Sequence, residues 1–364
     1  MSQNEQSKKA RRGFDGPDDG DSDYLLPDQS ETPETKTSTR RRSRRAFAIM
    51  AGLLGLVLLV IAGFAVFYAK SANDALNDMG REQMLPHSTP SSTQEASQSA
   101  GMNILLLGSD SRGTGDQGRS DVLMMAHISQ DREHVYLISF PRDMWVTVPG
   151  HGEAKINAAY AWGGAPLTVQ TVQDLTGAQI DHAVLIDFEG FMAVVDTIGG
   201  IDVYNFVASD PGDFTFPEGM IHLDGRSALA FTRERYDLPN GDLDRARRQR
   251  DVVMAVVKKI VTPEVLADPG KFATVLSTLA PYFTVDEGFS GAEITKLALS
   301  MRATDGDALR SLQAPISGFG TSSDGQSIDL VDAAGVAELG DALKNDTMDA
   351  YWQAHRDDPA VRHP

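Results

Sequence analysis

Residues 231–250, FTRERYDLPNGDLDRARRQR, hold six arginines: Arg233, Arg235, Arg245, Arg247, Arg248 and Arg250. Desolvating or crowding that many guanidiniums is unfavourable unless anions sit among them, because like charges repel and lose hydration. Asp237, Asp242 and Asp244 supply some negative charge from the same stretch. A bound phosphate answers the same need, since the guanidinium fork matches phosphate oxygens in bidentate geometry. A salt-bridged, solvated helix start and an anion site are the two outcomes open to this segment.

The surroundings bear on that choice. The 364-residue chain carries 51 Asp and Glu against 33 Lys and Arg, a formal net charge of −18. Such a balance excludes a general nucleic-acid binder, which needs a dominant basic face. Cationic charge focused within an acidic surround is what an anion site requires and solubility does not. There is no cysteine, so disulfides, cysteine-ligated zinc and thiol catalysis are excluded. An apolar share of 41% suffices for a core in one large domain or two ordinary ones.

Residues 1–45 are rich in Asp, Gly, Ser, Pro and Lys and end in the block RRRSRR. Low hydrophobicity predicts a disordered tail. Residues 46–69 then carry no charge. A helix over them spans about 36 Å, enough to cross a bilayer core of about 30 Å. The arginine block before it places the N-terminus in the cytoplasm and the rest outside. A cleaved signal peptide has an apolar region of only about 7–15 residues, so the run is expected to stay as a single-pass anchor in the cell membrane. Residues 70–101, ending in STPSSTQEASQS, read as an extracellular linker. The folded domain is expected over 102–345, with a disordered tail over 346–364.

Within that domain, strand-like runs at 103–107, 121–128, 135–140, 184–186 and 201–203 alternate with helix-like runs at 166–175, 188–198, 225–232, 246–261 and 293–301. The alternation indicates an α/β sandwich with a largely buried sheet, and 311–314 and 327–330 resemble edge strands. The first strand runs into GSDSR and a glycine-bearing loop that ends in RSD. Asp110 and Asp121 thus stand at opposite ends of one loop, where they either shape turns or share a hard cation with phosphate oxygens. Arg112 and Arg119 lie beside them. Arg142 follows another strand, at the place where α/β folds tend to bind ligands. Lys155 and Asn157 come next, in KINAAYAWGG. Arg245, Gln249, Val252 and Val256 share one helical face that turns from basic to apolar, and Asp242 or Asp244 can cap its start. The face reads either as ordinary core with snorkelling arginines or as a seat for an amphiphile with an anionic head.

The segments GSDSR, RSD, ISFPRD, KINAAYAWGG, TIGGIDV and LDGRSALAFTRERYDLPNGDLDRARRQRD, in this order, resemble the LytR–CpsA–Psr family of cell-wall glycopolymer ligases over residues 102–260. The resemblance implies an α/β/α sandwich with a central mixed sheet and a pocket for a polyprenyl chain. It also implies transfer of a glycopolymer from a polyprenyl-pyrophosphate carrier to peptidoglycan, with magnesium or manganese as cofactor. By motif position the metal-linked aspartates are Asp110 and Asp121. The pyrophosphate-contacting arginines are Arg112, Arg119, Arg142, Arg233, Arg235, Arg245 and Arg248, with Gln249 and Asp242 beside them. Asp244 stands where the pattern usually has glycine, which puts the roles of Arg245 and Arg248 in question. A sugar hydroxyl of peptidoglycan is expected to attack the polymer-side phosphorus, with Asp110, Asp121 or Asp143 taking its proton. No GxSxG, HExxH or Cys–His pattern competes for the catalytic role. The alternatives are a non-catalytic surface receptor for wall polymer or lipid-linked precursor, and a pyrophosphatase with water as acceptor.

Overall fold

The computed structural model describes residues 79–86, 101–109, 120–260, 262, 265, 268–302 and 308–358. The expected cytoplasmic tail and membrane anchor, residues 1–69, lie outside the described residues. Among the described residues no helix is long and apolar enough to cross a membrane.

Strand β2 (Met102–Ser109) is apolar on both faces, and that places it in the middle of a sheet. Leu105 and Leu107 point one way, and Ile104 and Leu106 the other, as the two-residue period requires. On the first side they pack with Val169 and Val172 of α1 (Asn157–Thr176) and Leu339 and Leu343 of α7 (Ala333–Lys344). On the second they join Val285, Phe289, Ile294 and Leu297, the last two from α6 (Gly291–Ser300). The expected layering, a mixed central sheet between helices, is what the described residues form.

The sheet has seven strands, ordered β1 (Gly80–Glu82), β10 (Thr284–Asp286), β7 (His182–Asp187), β2, β3 (Ser120–Ile128), β4 (Val135–Ser139) and β11 (Leu309–Gln313). β2 runs parallel to β7 and antiparallel to β3, and β11 closes the far edge parallel to β4. Three two-stranded hairpins stand outside it: β5 (Trp145–Val148) with β6 (Gly152–Lys155), β8 (Ile201–Asn205) with β9 (Gly219–Leu223), and β12 (Ile316–Thr321) with β13 (Ser327–Val331). A further apolar cluster joins Val195 of α2 (Phe188–Thr197), Phe231 of α3 (Gly225–Arg233), Val252 of α4 (Asp242–Ile260), and Ile201 and Leu223.

The structure corrects several boundaries. The helix expected at 166–175 starts at Asn157 and is kinked, because Gly164 takes φ 62° and Pro166 follows without an N–H. The linker expected over 70–101 contains β1, and Met84 is fully buried. The tail expected over 346–364 contains α8 (Met348–His355). Met348 and Tyr351 are buried in the main core, Asp349 pairs with Arg310, and Asp346 reaches the buried His127 at 3.0 Å. Polar composition suggested fraying, but two large apolar anchors suffice to dock the segment.

Candidate functional site

Backbone hydrogen bonds bring the scattered basic residues together. After β4 the chain turns over Pro141, with the Met144 amide donating to the Pro141 carbonyl at 3.0 Å. The turn projects Arg142 and Asp143. The β5–β6 hairpin then returns the chain to the same place, where the Ile156 amide donates to Met144 O (2.8 Å) and the Asn157 amide to Arg142 O (3.3 Å). Lys155 and Asn157 therefore sit beside Arg142. Lys155 Nζ lies 2.7 Å from Asp143, and Arg142 Nε lies 3.2 Å from Asp242 and 3.8 Å from Asp143.

Asp242 opens α4, and its carboxylate also holds Arg245. It does not act as the helix cap. Burial pushes its carboxyl upward, while Arg245 and Arg142 pull it back down. The carboxylate of Asp244 accepts from the Asn240 amide (2.8 Å) and side chain (3.2 Å), which fixes the turn entering the helix. Arg235 bonds the Tyr236 hydroxyl at 2.9 Å and lies within the fields of Asp242 and Asp143. Arg142, Lys155, Asn157, Arg235, Asp242 and Arg245 are thus one constellation of cations laced with carboxylates.

Two hollows are lined by α4 or by the constellation itself. The first, of about 280 Å³, is almost wholly apolar and is lined by Phe188 and Phe191 of α2 and by Gln249, Val252 and Val256 of α4. Arg233 stands over the Phe188 ring at 5.0 Å, at the edge of that wall. The second, of about 450 Å³, is polar and is lined by Arg142, Asp143, Lys155 and Asn157. Asp242 and Gln249 are seven residues apart on α4, about 10 Å along its axis. The expected basic-to-apolar face therefore runs from Asp242, paired with Arg142 of the polar hollow, to the wall of the apolar one.

One expected member is elsewhere. Arg248 is buried against the β8–β9 hairpin, donating to Ser209 Oγ (3.0 Å), Asn205 Oδ1 (2.9 Å) and the Val207 carbonyl (2.8 Å). Its guanidinium lies 4.2 Å from the Phe231 ring centroid, and desolvation lowers its pKa to about 10. Arg248 is a brace for that hairpin and not a ligand contact, because the hairpin offers three oxygens where the open site offers water. Arg250 is likewise a core group, bonded to Ser139 (2.6 Å) and Ser311 (3.2 Å).

Asp110, Arg112 and Arg119 lie outside the described residues. Asp121 belongs to β3, at an irregularity where Gly108 pairs with Val122 and Ser109 with Ser120. Among the described residues no group of three or more His, Asp or Glu could hold a metal ion.

Asp329, on β13, escaped the sequence reading. Its amide donates to the Asp143 carbonyl (2.9 Å), its side chain is 5% exposed, and Oδ2 has no hydrogen-bond partner among the described residues. Burial first, then repulsion from Asp143 and Asp242, push its carboxyl up to about 6. No motif marked it. SIDLV reads as an ordinary strand, and only the fold sets it under the site.

A family model described as the LytR_cpsA_psr family matches residues 64–345. The polyisoprenyl-teichoic acid–peptidoglycan teichoic acid transferase TagU of Enterococcus faecalis is 31% identical over 84% of this chain and 98% of its own length. The crystal structure of TagV from B. subtilis superposes with a TM-score of 0.60 at 27% identity, covering 68% of this chain and 97% of that one. A structure of TagT bound to LIIa-WTA gives 0.55 at 26% identity, over 68% and 91%.

Proposed function

The chain belongs to the LytR–CpsA–Psr family, and from that premise we propose that it is a transferase moving a glycopolymer from a polyprenyl-diphosphate carrier onto peptidoglycan. TagU relatives carry that activity in their names. The observation that supports it here is α4, which carries Asp242 and Arg245 at its head and, from Gln249 on, the wall of an apolar cavity. A diphosphate seated at the head group leaves its isoprenoid chain beside Val252 and Val256.

The acceptor hydroxyl oxygen attacks the glycan-side phosphorus. The bond from that phosphorus to the bridging oxygen breaks, and lipid monophosphate departs with the electron pair. Arg142, Arg245 and Lys155 offset the charge that builds on the phosphate oxygens, so the protein acts mainly by position and field. Asp143, which lines the polar hollow and grips Lys155, takes the hydroxyl proton. Asp110 and Asp121 are the residues that would hold magnesium or manganese. Their chain neighbours Ser109 and Ser120 pair across adjacent strands, and two carboxylates with phosphate oxygens make the donor set magnesium favours. Such an ion supplies additional charge neutralisation at the diphosphate. The uncharged run 46–69 anchors the chain in the cell membrane with this domain outside, beside the lipid-linked donor.

The test is transfer from a lipid-diphosphate-linked glycan to a peptidoglycan strand. Arg142→Ala lowers kcat/KM by about 10²–10³-fold, and Asp143→Asn lowers kcat by about 10²-fold or more. Arg248→Ala lowers the melting temperature but leaves the rate per folded molecule within about twofold. Wild-type transfer by Arg142→Ala would remove the assignment, and phosphate release with no glycan attached would make the protein a hydrolase.

A further inference from the structure

The polar hollow is lined by more than its cations. Trp145, Glu153, Trp162, Asp324 and Gln326 share its wall. Trp162 is 47% exposed, yet its ring is held flat by stacking on His151, with centroids 4.7 Å apart and planes at 22°. An exposed aromatic plane fixed in one orientation presents a flat apolar face on which a sugar ring can stack. Opposite in character are two planar polar pairs. Trp145 Nε1 donates to Glu153 at 2.9 Å, and Gln326 Nε2 to Asp324 at 2.6 Å. Carboxylates and amides offer paired donors and acceptors to vicinal hydroxyls and acetamido groups. The β12–β13 hairpin that brings Asp324 and Gln326 is docked by the Asp329 amide on Asp143 O and by a bridge between Met144 and Asp329. The groove wall is therefore tied to the reacting end.

We propose that this groove is the acceptor subsite, taking a strand of N-acetylated amino sugars with Trp162 as its stacking platform. The assignment rests on the transferase reading and on the geometry of phosphoryl transfer. Attacking and leaving oxygens lie roughly in line through phosphorus. The leaving oxygen belongs to the lipid phosphate, whose tail occupies the apolar cavity. Arg142 lines the groove and pairs with Asp242 at the head of α4, while the same helix lines the apolar cavity from Gln249 on, so a nucleophile opposite the leaving group enters from the groove side. Asp143 and Lys155, which line it, then meet the incoming hydroxyl.

The experiment uses the full chain in detergent and a soluble, uncross-linked peptidoglycan strand of alternating N-acetylglucosamine and N-acetylmuramic acid. Binding of the strand is measured without donor, and the acceptor and donor KM are measured in transfer. Trp162→Ala weakens strand binding and raises the acceptor KM about tenfold, the loss of one anchoring contact. Trp162→Phe recovers most of it, and the pair Asp324→Ala with Gln326→Ala acts in the same direction. The donor KM stays within about twofold in all of them. Unchanged strand binding in both Trp162→Ala and the double variant overturns the proposal. A shift confined to the donor KM overturns it too, and gives the groove to the donor's own sugars. Strand binding that depends on Trp162 in a protein that transfers nothing keeps the groove and removes the transferase reading.

Discussion

Asp329 is a carboxyl group buried among charges, and its protonation has a direction that can be worked out. Its folded-state pKa, about 6, stands above the 3.8 of an unfolded aspartate. The folded chain thus holds this proton where the unfolded chain has released it. This group favours folding below about pH 4 relative to higher pH, and its contribution is lost as pH rises toward 6. Asp329→Asn removes the buried charge without removing the shape. The variant should match the wild type near pH 4 and exceed it above pH 6.5 by on the order of 3 kcal/mol, read as the difference between urea unfolding curves across pH. A gap that is absent or reversed at pH 7.5 would mean that Asp329 is ionised and well partnered. Arg248 shows the complementary case. It resembles a ligand contact in the motif, yet in the structure it spends its fork on Ser209, Asn205 and Val207.

In the proposed transfer, helix α4 is the element that meets both halves of the substrate. Its first turn is charged and its later turns are valine-rich, so one rigid rod sets the distance between head group and tail. A larger side chain on the valine stripe should therefore act on the tail alone. Val256→Phe is expected to raise KM about tenfold for a donor with a long isoprenoid chain. A donor truncated to two or three isoprene units should be unaffected. Equal effects on both donors would place the tail elsewhere. A melting temperature within a few degrees of the wild type separates blockage from overpacking.

Across the whole molecule, the sheet edges and the C-terminal helices decide whether the site is held at all. β11 pairs with β4 directly behind Arg142, and α8 locks onto it through Arg310 and Asp349. Ending the chain after Thr347 removes two buried side chains, Met348 and Tyr351. At about 1.5–3 kcal/mol for each, that costs roughly 3–6 kcal/mol of stability, measurable as a lower denaturant midpoint. An unchanged midpoint would show that the helix rests on the domain without supporting it.

Much of this architecture was legible in advance. Short continuous apolar runs such as NILLL and VYLIS read as buried strands, and the arginine-to-valine stripe 245–256 marked one helix with two chemical ends, because these patterns are local. Convergence was not local. Arg142, Lys155 and Asp242 carried a motif likeness but no sign of their mutual distances, which the β5–β6 hairpin and the entry to α4 impose through backbone hydrogen bonds. Arg245 and Arg248, three residues apart in one motif, went to opposite duties because burial partners are chosen by neighbours remote in sequence. Asp329 and the docked α8 were invisible for the same reason. Which residues are apolar or charged is written along the chain, but which of them lose water together is settled only when distant segments pack, and that desolvation is what turns a polar residue into a brace, a ligand or a held proton.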